Sequence, residues 1–319
     1  MLAISSKDID SIATRKEIAD AIEQAMLTFE QGNYIMPDRM HVHKEDNTLL
    51  LMPCIANGVI STKLVNVFPN NSKIGLPSLL GTLILNDAST GEPIALMDGA
   101  VITALRTGAV GGVGVRYLAP KNAKSLLLIG TGVQGRNLVL SASLERNLQR
   151  VYAFDINFEQ AGKFAKNLSN ELCNVEVIPL KSVDEGLKDS EIVITATTSA
   201  KPVLTSDISL LKNKCFIGVG SYRPNTRELP EELIIFADSV FVDTPFAMQE
   251  CGDIAIPLSK NQITKDKVKT LGSIINKTHQ NIGSTTVFKT VGMALFDLFA
   301  AQLIYQKATE RGVGTHLKL

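Results

Sequence analysis

The stretch Ser125-Leu-Leu-Leu-Ile-Gly130-Thr-Gly132-Val-Gln-Gly135 decides the fold. An apolar run of strand length leads directly into G-x-G-x-x-G, and the glycines open a helical pattern from Val133. In that setting the motif reads as a dinucleotide-binding turn. Gly130 permits the tight turn, Gly132 lets backbone N–H groups approach a pyrophosphate, and Gly135 lets the helix lie on the strand. The start of the helix adds partial positive charge toward the phosphates. Asp155 closes the next apolar run, twenty residues beyond Gly135. Its carboxylate can accept from the hydroxyls of an adenine ribose and would repel a 2′-phosphate, so NAD(H) is favoured and NADP(H) stays open.

Downstream of this turn the pattern alternates strand and helix: Arg150 to Phe154, a helix near Phe158 to Leu168, then Glu191 to Thr195, Cys215 to Val219 and Ser239 to Val242. Short buried strands separated by helices predict a doubly wound parallel sheet. Val287 to Ala308 reads as one long helix, apolar on much of its circumference and therefore buried. Upstream, Gly99 to about Leu118 reads as a helix capped by Asp98 and stopped by Ala119-Pro120. Its Gly108, Gly111, Gly112 and Gly114 would each cost roughly 1 kcal/mol against alanine, which predicts close approach of another backbone or of a ligand. Thr14 and Glu17 form a capping box ahead of Ile18, Ile22, Ala25, Met26 and Phe29, a helix ending at Gly32. Between Arg39 and Met97 lie Arg39 to His43, Leu49 to Met52, Val59 to Phe68, Leu79 to Leu85 and, after an Asn86 to Pro93 turn, Ile94 to Met97. These strand-like runs predict an α+β unit with a mostly antiparallel sheet.

The whole chain of 319 residues suits about two domains at roughly 150 residues each. With 45% hydrophobic and 20% charged residues it has globular composition, which excludes disorder, collagen and coiled coil. Thirty-two basic residues balance thirty-two acidic ones, so nucleic acid and membrane surfaces are not expected partners. Cys54, Cys173, Cys215 and Cys251 show neither zinc nor disulfide spacing, and no run reaches the ~18 apolar residues of a membrane span; a cytoplasmic location is expected. No metal is expected either. His41 and His43 share a strand face without a third ligand, His279 and His316 are isolated, and Cys251 lacks a neighbouring base. Asp253 reads equally as a cleft residue or a loop cap.

Three cations stand in otherwise apolar or strand-like settings: Arg39, Lys63 and Arg106. Arginine binds carboxylates bidentately and lysine can orient or protonate a reacting centre, so together they would suit a 2-oxo, 2-imino or 2-amino acid. Singly, each reads as a solvated or salt-bridged surface residue.

The chain resembles the ornithine cyclodeaminase/μ-crystallin family over nearly its whole length. The resemblance runs through Arg39, Lys63-Leu-Val-Asn66, Met97-Asp98-Gly99, Ile102 to Thr107, Leu118-Ala-Pro120 and the Gly130 turn. It continues through Gly218-Val-Gly220, Arg227-Glu228-Leu229, Glu250-x-Gly-Asp253 and Thr285 to Lys289 with Gly292. It implies a homodimer, with a Rossmann domain (118–290) inserted into an α+β dimerisation and substrate domain (1–117 and 291–319), and with substrate in the cleft and near the glycine-rich helix. It assigns Arg39, Arg106 and Val291 to substrate, and Lys63 with Arg106 to the reacting centre. For the cofactor it implies Ser78, Thr107, Gly130, Gly132, Val133, Gln134, Gly135, Asp155, Thr195, Thr197, Val219, Gly220, Tyr222 and Thr290.

Two departures from the cyclodeaminating branch bear on the reaction. Tyr222 stands where that branch has an aspartate, and Leu50 where it has a glutamate. Losing both removes the natural acceptors for an ammonium group and the general bases of ring closure, whereas reduction of a ready-made imine needs only hydride, a carboxylate clamp and a proton donor. The expected activity is reduction of a cyclic ketimine, Δ1-pyrroline-2-carboxylate or Δ1-piperideine-2-carboxylate, to proline or pipecolate. The alternatives are ornithine cyclodeaminase with Tyr222, Glu45 or Asp46 as substitute, an open-chain amino-acid or opine-type dehydrogenase, and a non-enzymatic crystallin-like binding protein.

Overall fold

The computed structural model describes residues 1–280 and 282–318. The chain forms two compact units, Met1–Arg106 with Gly292–Leu319, and Thr107–Val291. The first opens with β1 (Leu2–Ile4), α1 (Ser6–Ile12) and α2 (Arg15–Gln31). It continues through β2 (Met40–Lys44), β3 (Asn47–Ala56), β4 (Val59–Val67), β5 (Leu79–Asp87) and β6 (Pro93–Asp98) into α3 (Gly99–Leu118). The division between units falls inside α3, where the sequence carries the first domain on to residue 117.

The second unit contains β7 (Ser125–Ile129), α4 (Val133–Glu145), β8 (Arg150–Phe154), α5 (Phe158–Ser169), β9 (Glu176–Leu180), α6 (Val183–Asp189), β10 (Ile192–Thr195) and α7 (Ile208–Leu211). There follow β11 (Cys215–Gly218), α8 (Glu231–Phe236), β12 (Ser239–Val242), α9 (Ala247–Glu250), α10 (Gly252–Ser259), β13 (Val268–Thr270), α11 (Leu271–Ile275) and β14 (Thr286–Lys289). The chain then returns to the first unit as α12 (Ala294–Arg311) and β15 (Thr315–His316).

In the first unit the sheet order is β15-β1-β6-β5-β4-β3-β2, antiparallel throughout except for the β1–β6 pair. Alternation along β4 buries Val59, Ser61, Lys63 and Val65 on one face, beside Met52 of β3 and Leu83 of β5. α12 covers that face and packs in turn on α2. The Thr14–Glu17 capping box forms in both directions, and Gly32 ends α2 in the left-handed conformation that glycine adopts without strain. Ile18, Ile22 and Met26 supply the buried stripe of α2.

The second unit is built on an all-parallel sheet, β13-β12-β14-β11-β10-β7-β8-β9. From β7 the strands wind outward in both directions, so the topological switch lies between β7 and β10, where a doubly wound sheet binds its ligand. β10, β11, β12 and β14 are buried along their whole length, as expected for parallel strands covered on both faces.

One reading of the sequence needs correction. Val287 does not begin a helix: Thr286–Lys289 is a central strand between β11 and β12, and the helix starts at Ala294. A short apolar run buried on both faces has no periodicity to separate it from a buried helix. Gly292, at φ +75°, makes the break. The glycines of α3 are closely approached by protein, one of the two neighbours their cost predicted. A Cβ on Gly108 would stand 2.6 Å from the Asn137 carbonyl oxygen and one on Gly112 would stand 3.0 Å from Ser141 Cβ, both on α4. One on Gly114 would reach 2.6 Å from the Phe288 ring.

Candidate active site

In the first unit two of the three cations meet on one carboxylate that sequence reading had passed over, and the charge of the third is felt at Lys63. Lys63 points from β4 into the interior and is 1% exposed. Its Nζ donates to Asp297 Oδ2 at 2.6 Å and to Thr103 Oγ1 at 3.3 Å. The other oxygen of Asp297 accepts from Arg106 Nε at 2.9 Å. Asp297 sits in the first turn of α12, where the helix dipole favours an anion, and is fully buried. Arg39, just ahead of β2, donates from Nη2 to the Gly292 carbonyl at 2.6 Å. Gly292 also makes room for Arg106, since a Cβ there would fall 2.7 Å from Nη1.

The electrostatics follow from burial and charge count. Burial pushes the Lys63 ammonium down to about 8, with Asp297 opposing that effect and Arg106 and Arg39 adding to it. Burial would raise the Asp297 carboxyl, but the Arg106 and Lys63 charges outweigh it and hold the group below the usual carboxylate range. The site thus presents an acid that is charged at neutral pH yet gives up its proton readily, flanked by two guanidinium groups. Ser78 lies in the same unit, exposed on the segment leading into β5, where its carbonyl accepts from Phe68 N at 2.8 Å.

The second unit holds most of the other predicted residues together at the carboxyl ends of β7, β8, β10, β11 and β14. Gly130 has φ +99°, and a Cβ there would collide with the Ala196 carbonyl at 2.5 Å. Gly132 caps α4 without any side-chain hydrogen bond and faces open space. Val133 is exposed and Gln134 half-buried beside it. A Cβ on Gly135 would stand 2.2 Å from the Gly130 carbonyl oxygen, so the helix can follow the turn only with glycine there. Asp155 accepts from Thr131 N at 3.0 Å, Thr131 Oγ1 at 2.8 Å and Asn157 N at 3.0 Å. Burial opposes its ionisation, but these bonds win and hold it low. An open glycine at an uncapped helix start, beside a fixed carboxylate, fits a dinucleotide pyrophosphate and its ribose.

A second missed residue, Glu228, organises the opposite side of this crevice. One of its oxygens accepts from Thr197 N at 2.6 Å and Thr197 Oγ1 at 2.8 Å; the other accepts from Thr195 Oγ1 at 2.9 Å and Gly220 N at 2.6 Å. It therefore ties together three of the residues expected at the cofactor. Asp253 caps the same segment, accepting from Glu228 N and Leu229 N at 2.7 and 2.9 Å, and pairs at 3.4 Å with the buried ammonium of Lys289. This decides the reading of Asp253 in favour of a cap. Burial works against the Lys289 charge, but Asp253, Cys251 and Glu228 reverse it and leave the group raised. Thr290 Oγ1 and Val291 N donate to Asp243 at 2.5 and 3.0 Å, while Val219 N donates to the Thr195 carbonyl at 2.9 Å. Thr107 is buried on α3; Tyr222 is 36% exposed with the Arg223 guanidinium 5.4 Å over its ring.

Elsewhere, His41 and His43 are exposed neighbours on β2 with ring centroids 5.8 Å apart. Among the described residues no group of three or more His, Cys, Asp or Glu is placed to hold a metal ion. Among them also, no helix is long and apolar enough to cross a membrane. Burial raises the Cys251 thiol to about 12, which makes it a poor nucleophile.

Comparison with known proteins agrees with this architecture. Over its full length the chain is 32% identical to Δ1-pyrroline-2-carboxylate reductase of Bacillus cereus, covering 100% of each chain. Its structure is similar to that of Thermococcus litoralis Δ1-pyrroline-2-carboxylate reductase in complex with NADH and L-proline, with TM-score 0.93, 34% identity and coverage of 99% and 100% of the two chains. It is also similar to an archaeal alanine dehydrogenase dimer with bound NAD, with TM-score 0.92, 28% identity and coverage of 100% and 99%. The family model for ornithine cyclodeaminase/mu-crystallin matches residues 2–312, and the chain belongs to that family.

Proposed function

We propose that the protein is an NAD(H)-dependent oxidoreductase that reduces a cyclic 2-imino acid, Δ1-pyrroline-2-carboxylate or Δ1-piperideine-2-carboxylate, to proline or pipecolate. The observation that carries the reading is the buried Lys63–Asp297–Arg106 arrangement beside Arg39 and Gly292. The names of the Bacillus cereus and Thermococcus litoralis relatives support the imino-acid substrate. Gly130, Gly132, Val133, Gln134, Gly135 and Asp155 would hold the pyrophosphate and adenine ribose, with Thr195, Thr197, Val219, Gly220 and Thr290 toward the nicotinamide. When bound, NADH supplies the hydride that reduces the imine carbon.

Arg106 meets Asp297 through Nε, which leaves Nη1 and Nη2 to grip the substrate carboxylate together with Arg39. An ammonium has three N–H donors, and Lys63 directs two of them to Asp297 and Thr103. The third can give its proton to the imine nitrogen as C=N becomes C–N, and a lysine held at about 8 is matched to that task. The archaeal alanine dehydrogenase favours one second reading, an acyclic 2-imino acid in the same cationic site. Ornithine cyclodeamination finds less support: Leu50 and Tyr222 offer no carboxylate, and Glu45 and Asp46 lie exposed at the β2–β3 hairpin.

NADH oxidation with the two cyclic imines, with pyruvate plus ammonia, and with ornithine plus NAD tests the reading. Turnover of a cyclic imine is expected; ammonia release from ornithine without imine reduction would overturn it. We also infer a homodimer. The face of the first sheet opposite α12 carries Leu51, Ile60, Leu64, Ile84 and Leu96, none fully buried in the single chain, and the alanine dehydrogenase relative is a dimer. Sedimentation at twice the 34.5 kDa chain mass is the expected result, and a monomer would refute it.

A further inference from the structure

We propose that Asp297 is the positioning residue of the substrate site: one oxygen fixes the Lys63 ammonium and the other fixes Arg106 Nε, setting the spacing between proton donor and carboxylate clamp. The inference rests on reading Lys63 and Arg106 as the groups that meet the substrate. The geometry separates Asp297 from a residue that touches substrate itself, since it is fully buried and both its oxygens are occupied, at 2.6 and 2.9 Å. It also separates Asp297 from a residue that merely fills space. Its partners come from β4 and α3, two elements distant in sequence from α12, and a single carboxylate fixes both. Engaging Arg106 through Nε orients the planar guanidinium so that its two terminal nitrogens run past Gly292. That direction is lost if the carboxylate moves.

Asp297 also decides the charge state of Lys63. The charged and titratable groups facing that ammonium are Asp297 on α12, Arg106 on α3 and Arg39 ahead of β2, with the Cys54 thiol of β3 nearby and pushed up to about 12 by burial. Three cations therefore crowd one anion. Neutralising Asp297 leaves Lys63 buried among like charges, and its proton is lost at lower pH.

Asp297→Asn and Asp297→Glu test this. The Lys63 titration is read by carbon NMR of Cε-labelled lysine, assigned with Lys63→Arg, and needs no substrate. In Asp297→Asn the Lys63 midpoint is expected to fall by about one to three pH units. The basic limb of kcat on the cyclic imine should fall with it, while NADH affinity stays within about twofold of the parent. A midpoint and pH profile that do not move, alongside lower thermal stability, would reduce Asp297 to a structural ion pair and overturn the proposal. Asp297→Glu keeps the charge but displaces the carboxylate by one methylene. Its Lys63 midpoint should hold within about half a unit while kcat drops by about tenfold or more, and undiminished kcat would refute positioning even if the asparagine variant fails to fold. If the parent enzyme reduces no cyclic imine, the assigned reaction fails, whereas the NMR titration still decides the Asp297–Lys63 linkage.

Discussion

Replacing Glu228 with glutamine changes one atom of the side chain and should disable a whole corner of the nucleotide unit. The carboxylate accepts four hydrogen bonds, two from backbone N–H groups and two from threonine hydroxyls. Glutamine keeps one accepting oxygen but turns an NH2 group toward the other pair. The hydroxyl in that pair can rotate to accept; the backbone N–H of Gly220 or Thr197 cannot. One buried donor is thereby left unpaired, at about 1–3 kcal/mol, and the two bonds that survive lose their charge assistance, at roughly 1 kcal/mol together or more. A total near 3 kcal/mol corresponds to a fall in melting temperature of about 6–12 °C for a unit the size of Thr107–Val291. Thr195, Thr197 and Gly220 also lose their common tether, so NADH should bind about tenfold more weakly. Scanning calorimetry with and without NADH, and fluorescence titration of the cofactor, give both numbers. A melting shift below about 2 °C together with unchanged NADH affinity would show that Glu228 is not the tie described.

Two further outcomes follow from packing and charge. Gly108→Ala should destabilise by about 1–2 kcal/mol, because overpacking against the Asn137 carbonyl exceeds the ~1 kcal/mol helix-propensity gain, whereas Gly162→Ala, with nothing within 4 Å of the new methyl, should stabilise by up to about 1 kcal/mol. Urea midpoints of the two variants test that opposition of sign, and equal effects would contradict it. Glu17 is held down to about 2 by its bond to Lys307, ahead of those from Thr14. A carboxylate lowered in the folded state contributes stability above its ordinary value of 4.5 and loses it as pH falls toward 2. With Glu17 37% exposed, the contribution should be at most about 1 kcal/mol, and Glu17→Gln should flatten that part of the acid unfolding curve.

The nucleotide unit was legible where local signals agree: β7, the Gly130 turn, α4 and the full extent of α3 all follow from runs and punctuation within about twenty residues. β14 was not, because its four residues run into a helix with only Thr290 to Met293 between them. The three cations were nameable as carboxylate binders, yet nothing local could bring them together. Asp297 is the one acid in the apolar stretch of α12 from Ala294 to Ile304, and that misfit was the available signal. Glu228 was visible within a family motif, but its partners Thr195 and Thr197 lie more than thirty residues away, so neither burial nor hydrogen bonding could be read from its neighbours. Short strands such as β1 and β15 carry no periodicity at all.

The insertion of one unit into the other has a consequence for biosynthesis. Lys63 and Asp297 are separated by 234 positions, and α12, which covers the buried face of β3 and β4, is translated only after the entire nucleotide unit. The strands of the first sheet therefore leave the ribosome before the helix that covers them, and their inward-facing residues, including a lysine destined for burial, should stay wet while the parallel sheet is completed. Domains tend to fold in the order in which they are finished, so the nucleotide unit should acquire its structure first and the amino-terminal strands should wait for the carboxyl-terminal helix. During that interval the nascent chain should be open to chaperones and to aggregation.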